Sequence, residues 1–278
     1  MRPVLLVILA ASLFGLIGFF IRNITDISGS EIVLFRVTIG AVATFCFAAL
    51  TKNKISKIKS KWFLINGFFY TGAILLYVNS IYLGTPLSSA AFLFYTAPIF
   101  SIIFSHFMIK ESIKRSTLLI IVMAFVGALF ILKPFNLSLS IGSLLALGSG
   151  IFYGLNLVAT RKLETKFDTY SVVFYSFFIS LLFLIPINAI NFTIPSATSV
   201  MYIILLGIIS TAVPVFLFTE SMKKLKAYEA SSVALLEPVV ASLVGFFIFS
   251  EFLGITSIVG AVLILMSSLL IDKSVKAV

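Results

Sequence analysis

One feature recurs ten times along this chain: a run of about 20 apolar residues closed by a short polar stretch. The runs fall at 3–21, 32–50, 62–83, 88–108, 116–132, 141–160, 170–188, 199–220, 229–249 and 254–271. About 20 helical residues, rising 1.5 Å each, cross the roughly 30 Å hydrocarbon core of a bilayer. In lipid the backbone must satisfy its own hydrogen bonds, so a run of this length has to be a helix. The longest polar stretches, 51–61 and 188–198, are too short to fold by themselves. The chain is 60% hydrophobic and 11% charged, against about 45–50% and about 25% for soluble domains. An ordinary soluble protein, a disordered chain and a single-pass anchor are excluded. The first run follows one basic residue, Arg2. It is longer than the apolar core of a signal peptide, and we read it as a retained span.

Charge sets the expected orientation. With the N-terminus inside, seventeen of the twenty Lys and Arg residues lie in inner segments. Only Arg22 and Lys133 lie outside, and Arg36 sits within a span. Such asymmetry follows the positive-inside rule and predicts a multi-pass protein of the cytoplasmic (inner or plasma) membrane with both termini inside. It also accounts for the net charge of +10 without a nucleic-acid partner. The partners expected are membrane lipids and a small-molecule substrate, with the chain a monomer or weak homodimer. One cysteine, Cys46, and one histidine, His106, leave no internal disulfide, no Cys/His metal centre and no Ser-His-Asp catalysis. No phosphate-binding Gly-rich loop occurs, so ATP hydrolysis is unsupported. No catalytic residue, metal or cofactor is expected. Cys46 reads as a buried apolar residue, and His106 as an ordinary interfacial one.

The two halves resemble each other. Phe14-Gly15 followed by Arg22 matches Tyr153-Gly154 followed by Arg161; Pro98 followed by Glu111 matches Pro238 followed by Glu251. Val126-Gly127-Ala128 matches Val259-Gly260-Ala261. Five spans per half is an odd number, so the halves must run antiparallel. The prediction is an all-α integral membrane protein of ten transmembrane helices, arranged as two antiparallel five-helix inverted repeats, 1–138 and 139–278, around a central cavity. Inverted repeats are a plan of many secondary transporters, with the substrate site near mid-membrane.

Taken together, these features resemble the ten-span EamA-type branch of the drug/metabolite transporter superfamily. The residues that carry the resemblance are Phe14-Gly15, Phe35-Arg36, the stretch Tyr82–Ala91 leading to Pro98, and the stretch Lys224–Ser231 leading to Leu236-Glu237-Pro238, with Glu251 after the ninth span. The resemblance implies a basket of ten helices whose cavity is lined by the first, third, fourth, sixth, eighth and ninth. It implies secondary transport, commonly export, of small metabolites, with amino acids and their relatives frequent among them; S-adenosylmethionine, nucleosides and sugar-related compounds are the alternatives. A departure from the family pattern is Glu220 in Thr219-Glu220-Ser221, which is either a specificity difference or an inner-surface acid near Lys223 and Lys224.

Candidate site residues follow from polarity at depth. Glu237 lies about eight residues into the ninth run, where a charge costs at least ~2.5 kcal/mol and must face a cavity or a partner. It would take a substrate amine or a proton, or make a structural bond. Tyr153 and Asn156, three apart, and Tyr77 and Ser80, with Asn79 beside them, are candidates for substrate binding on the sixth and third helices, as are Tyr95 and Ser232. Their other reading is interhelical hydrogen bonding. Pro98 and Pro238 are expected to bend equivalent helices and serve as hinges. Gly15, Gly18, Gly150 and Gly154 are expected to let helices pack closely. Arg36 would bind a substrate carboxylate, pair with Glu31 or reach the outer headgroups. A cavity with one acid and few cations favours zwitterions or cations over phosphorylated substrates.

Overall fold

The computed structural model describes residues 2–58, 60–111, 113–134, 140–189, 192–250 and 252–276, with side chains to residue 274. Lys59, Glu251 and the boundary between 138 and 139 lie outside the described residues. Among the described residues ten helices are long and apolar enough to span a membrane. They are α1 Pro3–Arg22, α2 Gly29–Leu50, α3 Trp62–Tyr82, α4 Leu87–Ile109, α5 Arg115–Leu132, α6 Ile141–Glu164, α7 Thr169–Asn188, α8 Ala197–Ser221, α9 Ala227–Phe249 and α10 Ile255–Ser274.

The ends follow local chemistry. α2 starts three residues earlier than its apolar run because Ser28 and Glu31 form a reciprocal cap, with Ser28 N donating to Glu31 Oε2 at 2.7 Å. Glu31 is therefore spent on the cap and on the backbone N–H of Thr193. Ser140, Asp168 and Ser196 cap α6, α7 and α8. α4 and α9 both stop at a left-handed residue, Lys110 (φ 57°) and Ser250 (φ 55°), 140 positions apart.

Between 28% and 44% of each span is buried against the rest of the protein. The remainder presents large apolar side chains outward, such as Leu50, Leu119 and Phe247. Cys46 is one of these outward residues: it is exposed, not buried as its apolar surroundings predict. In a bilayer the solvent is itself apolar, so hydropathy does not separate interior from exterior.

The most extensive contacts join α3 to α6, α4 to α6, α5 to α10, α1 to α8 and α2 to α7; α1 and α4 also pack on α9. Small residues set the closest approaches, where van der Waals contact drives helix association in lipid. A Cβ on Gly127 would lie 2.7 Å from the Gly260 carbonyl, and one on Gly260 2.5 Å from that of Gly127. Gly15 meets Val240 and Ala241 of α9, while Gly154 meets Phe100 and Ser101 of α4. Gly150 presses on the backbone of Leu93 and Phe94. Gly18 differs from the expectation: nothing lies within 4 Å of its Cβ position, so it makes no close helix contact.

Candidate functional site

Four spans are interrupted well inside their length. α4 runs as Leu87–Phe94 and then Ala97–Ile109; α9 runs as Ala227–Ala234 and then Glu237–Phe249. Pro98 and Pro238 sit at the second position of the later halves. A proline there has no N–H to give to the preceding turn and suits a helix start. The predicted bends are thus breaks placed just before each proline. α1 breaks at Gly15-Leu16, and α8 loosens into a π-turn, Ile208–Ala212, ahead of Pro214. Non-helical backbone at membrane depth survives where it is enclosed by protein or lines a cavity, and π-turns gather at functional sites.

Glu237 is the first residue after the α9 break. Tyr95, at the α4 break, lies within electrostatic reach of its carboxylate. Tyr77 of α3 and Tyr153 of α6 are within its electrostatic reach. Phe94 joins these rings: its centroid is 5.4 Å from Tyr77, 5.6 Å from Tyr95 and 4.8 Å from Tyr153, the last pair stacked. One carboxylate, three phenols within its electrostatic reach and the phenyl ring that packs on them thus gather near the two breaks, all half-buried. Aromatic faces and a carboxylate both attract a cation. Phe94 was not a sequence candidate, because thirty phenylalanines hide any single one; its place four residues before Pro98 was the available signal.

Arg36 adds an opposite charge. Its Nε donates to Thr211 Oγ1 at 3.1 Å, in the π-turn of α8. The guanidinium is within electrostatic reach of Glu237, Tyr70 and Tyr153. It does not pair with Glu31. A contact 175 residues apart in sequence leaves no local trace.

The remaining candidates lie elsewhere. Asn156 donates to the Asn66 carbonyl at 3.0 Å, and Asn66 donates to Thr160 Oγ1 at 2.7 Å while accepting from Ser176. This is the interhelical reading, tying α3, α6 and α7. Residues three apart stand about 60° apart round a helix; here Tyr153 stacks on Phe94 and Asn156 bonds to α3. Asn79 is exposed and donates to the Leu75 carbonyl. Ser80 is fully buried where α3 meets Gly142 of α6. Ser232 is fully buried and donates to the Tyr228 carbonyl at 2.6 Å. Among the described residues none of these four has a hydrogen bond to Glu237.

Three acids at the lysine-rich end have partners. Arg161 donates from Nε to Glu111 at 3.2 Å and from a terminal nitrogen to the Met222 carbonyl. Glu220 pairs with Lys223 at 2.7 Å and accepts from Thr169, which is the surface-acid reading. Glu229 accepts from the Lys226 N–H at 2.9 Å, as a helix-start acid. His106 is exposed in the last turn of α4. At the opposite end, a polar cavity of about 560 Å³ opens among Asp26, Ser28, Glu31, Tyr82, Asn188 and Thr193.

Ten apolar helices whose interrupted segments meet around an acid define a multi-pass membrane transporter. The chain belongs to the EamA-like transporter family, which matches it twice, over residues 1–133 and 140–271. It is 29% identical to the pseudopaline exporter CntI of Pseudomonas aeruginosa (strain UCBPP-PA14), over 77% of this chain and 76% of that one. It is 24% identical to an S-adenosylmethionine uptake transporter of Rickettsia bellii (strain RML369-C), over 91% of this chain and 86% of that one. A crystal structure with 16% identity superimposes with a TM-score of 0.85, covering 99% of this chain and all of the other, so the fold is shared. These relatives are transporters rather than enzymes, and transport is what this chain does.

Proposed function

We propose that the protein is a secondary transporter that moves small polar metabolites, foremost amino acids or related compounds, by alternating access. The observation that carries this reading is the Glu237 carboxylate, with Tyr77, Tyr95 and Tyr153 within its electrostatic reach and Phe94 packed on them, where α4 and α9 both break. An ammonium group entering there would meet a carboxylate and aromatic faces at once. Tyr77, Tyr95, Tyr153 and Glu237 form the substrate site, and Pro98 and Pro238 are its hinges.

Two observations support antiparallel halves, 1–138 and 139–278. The principal helix contacts reproduce themselves when each helix is exchanged for the one five further on: α3–α6 becomes α8–α1, and α4–α6 becomes α9–α1. Gly15 against Val240 and Gly154 against Phe100 are the same contact in the two halves. Two such halves can exchange conformations and so open one face at a time. With the lysine-rich end in the cytoplasm, the termini lie inside and the protein occupies the cytoplasmic membrane as a monomer or weak dimer. Outward flow agrees with the exporter relative, and proton coupling through Glu237 would drive it.

The second reading is exchange of another metabolite, and the uptake relative favours S-adenosylmethionine among these. A sugar phosphate fits less well: Arg36 is the one Lys or Arg placed at the site among the described residues, and phosphate recognition uses several.

Counterflow in proteoliposomes tests the proposal, with vesicles loaded with amino acids, S-adenosylmethionine, a nucleoside or a sugar phosphate. Trans-stimulated uptake of amine-bearing compounds, weakened roughly tenfold or more by Glu237→Gln, is the expected result; loss of one charge-assisted hydrogen bond at about 1.5–3 kcal/mol corresponds to that factor. Unchanged uptake and pH dependence in Glu237→Gln would remove Glu237 from the site. Stimulation by the sugar phosphate alone would overturn the charge argument.

A further inference from the structure

We propose that Arg36, anchored to the π-turn of α8, is the carboxylate-binding pole of the central site, so that the substrate carries a carboxylate as well as an ammonium. This inference rests on the Glu237 reading above and extends it to the other end of the substrate.

Arg36 lies seven residues into α2, about 10 Å along the helix at 1.5 Å per residue. Its one hydrogen bond among the described residues is from Nε to Thr211. The outer edge of the guanidinium, with four N–H groups on its two terminal nitrogens, has no protein acceptor among them. That edge presents the paired donors that fit a carboxylate bidentately. A half-buried cation at membrane depth that keeps most of its donors unused is costly, and an anionic guest would offset the cost. The acid nearest in sequence, Glu31, is engaged with Ser28 and Thr193.

The anchor is built for holding this edge in place. In the π-turn the Leu206 carbonyl accepts from Thr211 Oγ1 at 2.9 Å, five residues on. The hydroxyl thus donates to its own helix while accepting from Arg36, which fixes the guanidinium by its inner nitrogen. Beside it, Ser210 is fully buried and its hydroxyl has no partner among the described residues. The π-turn packs on α2 and also touches α1. In the empty site Arg36 and Glu237 attract one another. A zwitterion replaces that single attraction with two contacts, ammonium at Glu237 and carboxylate at Arg36. A simple amine would satisfy Glu237 and leave Arg36 uncompensated.

The test is ligand-induced thermal stabilisation of the full chain, which reports affinity through mass action. Three matched sets serve as probes: phenylalanine, leucine and lysine, each with its decarboxylated amine and its deaminated acid. The wild-type protein should bind at least one zwitterion tenfold or more tighter than its amine and its acid. Arg36→Gln should abolish the preference for that zwitterion over its amine, with the amine bound no more weakly than by the wild type. Arg36→Lys should fall between, because Lys keeps the charge and loses the fork. Thr211→Val keeps Arg36 itself and should weaken the zwitterion severalfold, again sparing the amine; it covers the case in which Arg36→Gln does not fold. Equal weakening of amine and zwitterion would make Arg36 a structural pin and overturn the proposal. So would a wild-type protein that prefers no zwitterion of the sets, or binds none. Failure of the Glu237 reading looks different: Glu237→Gln would leave zwitterion binding intact while Arg36→Gln still abolished the preference.

Discussion

Replacing Arg161 by methionine isolates the closure of the lysine-rich end. Arg161 of α6 holds Glu111, just beyond α4, and the Met222 carbonyl, just beyond α8. The side chains of the pair are 16% and 14% exposed. Breaking a fully buried ion pair from one side costs about 3–5 kcal/mol, whereas exposed pairs contribute about 0–1 kcal/mol. Glu111 Oε2 has no other partner among the described residues, so Arg161→Met leaves the carboxylate without its bond. The intermediate exposure places the cost at about 2–3 kcal/mol, or roughly 30- to 150-fold in the folded-to-unfolded ratio. The double variant Arg161→Met/Glu111→Gln removes the stranded charge as well. It should recover to within about 1.5 kcal/mol of wild type, the remainder being the unpaired Met222 carbonyl. Denaturant titration in micelles, followed by circular dichroism and extrapolated linearly, gives both numbers. A single variant within 0.5 kcal/mol of wild type, or a double variant as costly as the sum of the singles, would refute the reasoning.

Two further outcomes are expected. Asp26, exposed between α1 and α2, accepts from Ser199 Oγ at 2.5 Å and Ser196 N at 2.7 Å, and these bonds hold its carboxyl down to about 2 from 3.8. A depressed folded value contributes stability that is complete above pH 3.8 and is lost as pH falls toward 2; the gap in melting temperature between wild type and Asp26→Asn should therefore close over that window, and a gap constant from pH 5 to pH 2 would contradict the assignment. Among the glycines, Gly127→Ala should cost about 1–3 kcal/mol because its Cβ would meet the Gly260 carbonyl, whereas Gly18→Ala, with open space around it, should stay within about 0.5 kcal/mol of wild type; equal effects in the same titration would sink the packing argument.

The ten spans were legible because each is decided locally, by the match of an apolar run to bilayer thickness. The breaks at Pro98 and Pro238 were legible for a similar reason: a missing N–H acts within one turn of its own residue. Glu237 stood out as a charge at depth. Phe94 did not, as one of many equivalent rings. Asn156 and Asn79 were chosen by polarity, yet the first ties α6 to α3 and the second faces outward.

The sequence by itself determined the spans, the asymmetry of positive charge and the paired prolines, all of which depend on a residue and its near neighbours. Tertiary structure alone decided how each helix is rotated about its axis. A span that is apolar all round carries no stripe to mark its inner face, and lipid is as apolar as a core. Close approaches such as Gly127 on Gly260 and Gly154 on Phe100 fix those rotations. They turn Cys46 to the outside and bring Arg36 onto Thr211 and within electrostatic reach of Glu237, residues of three different helices.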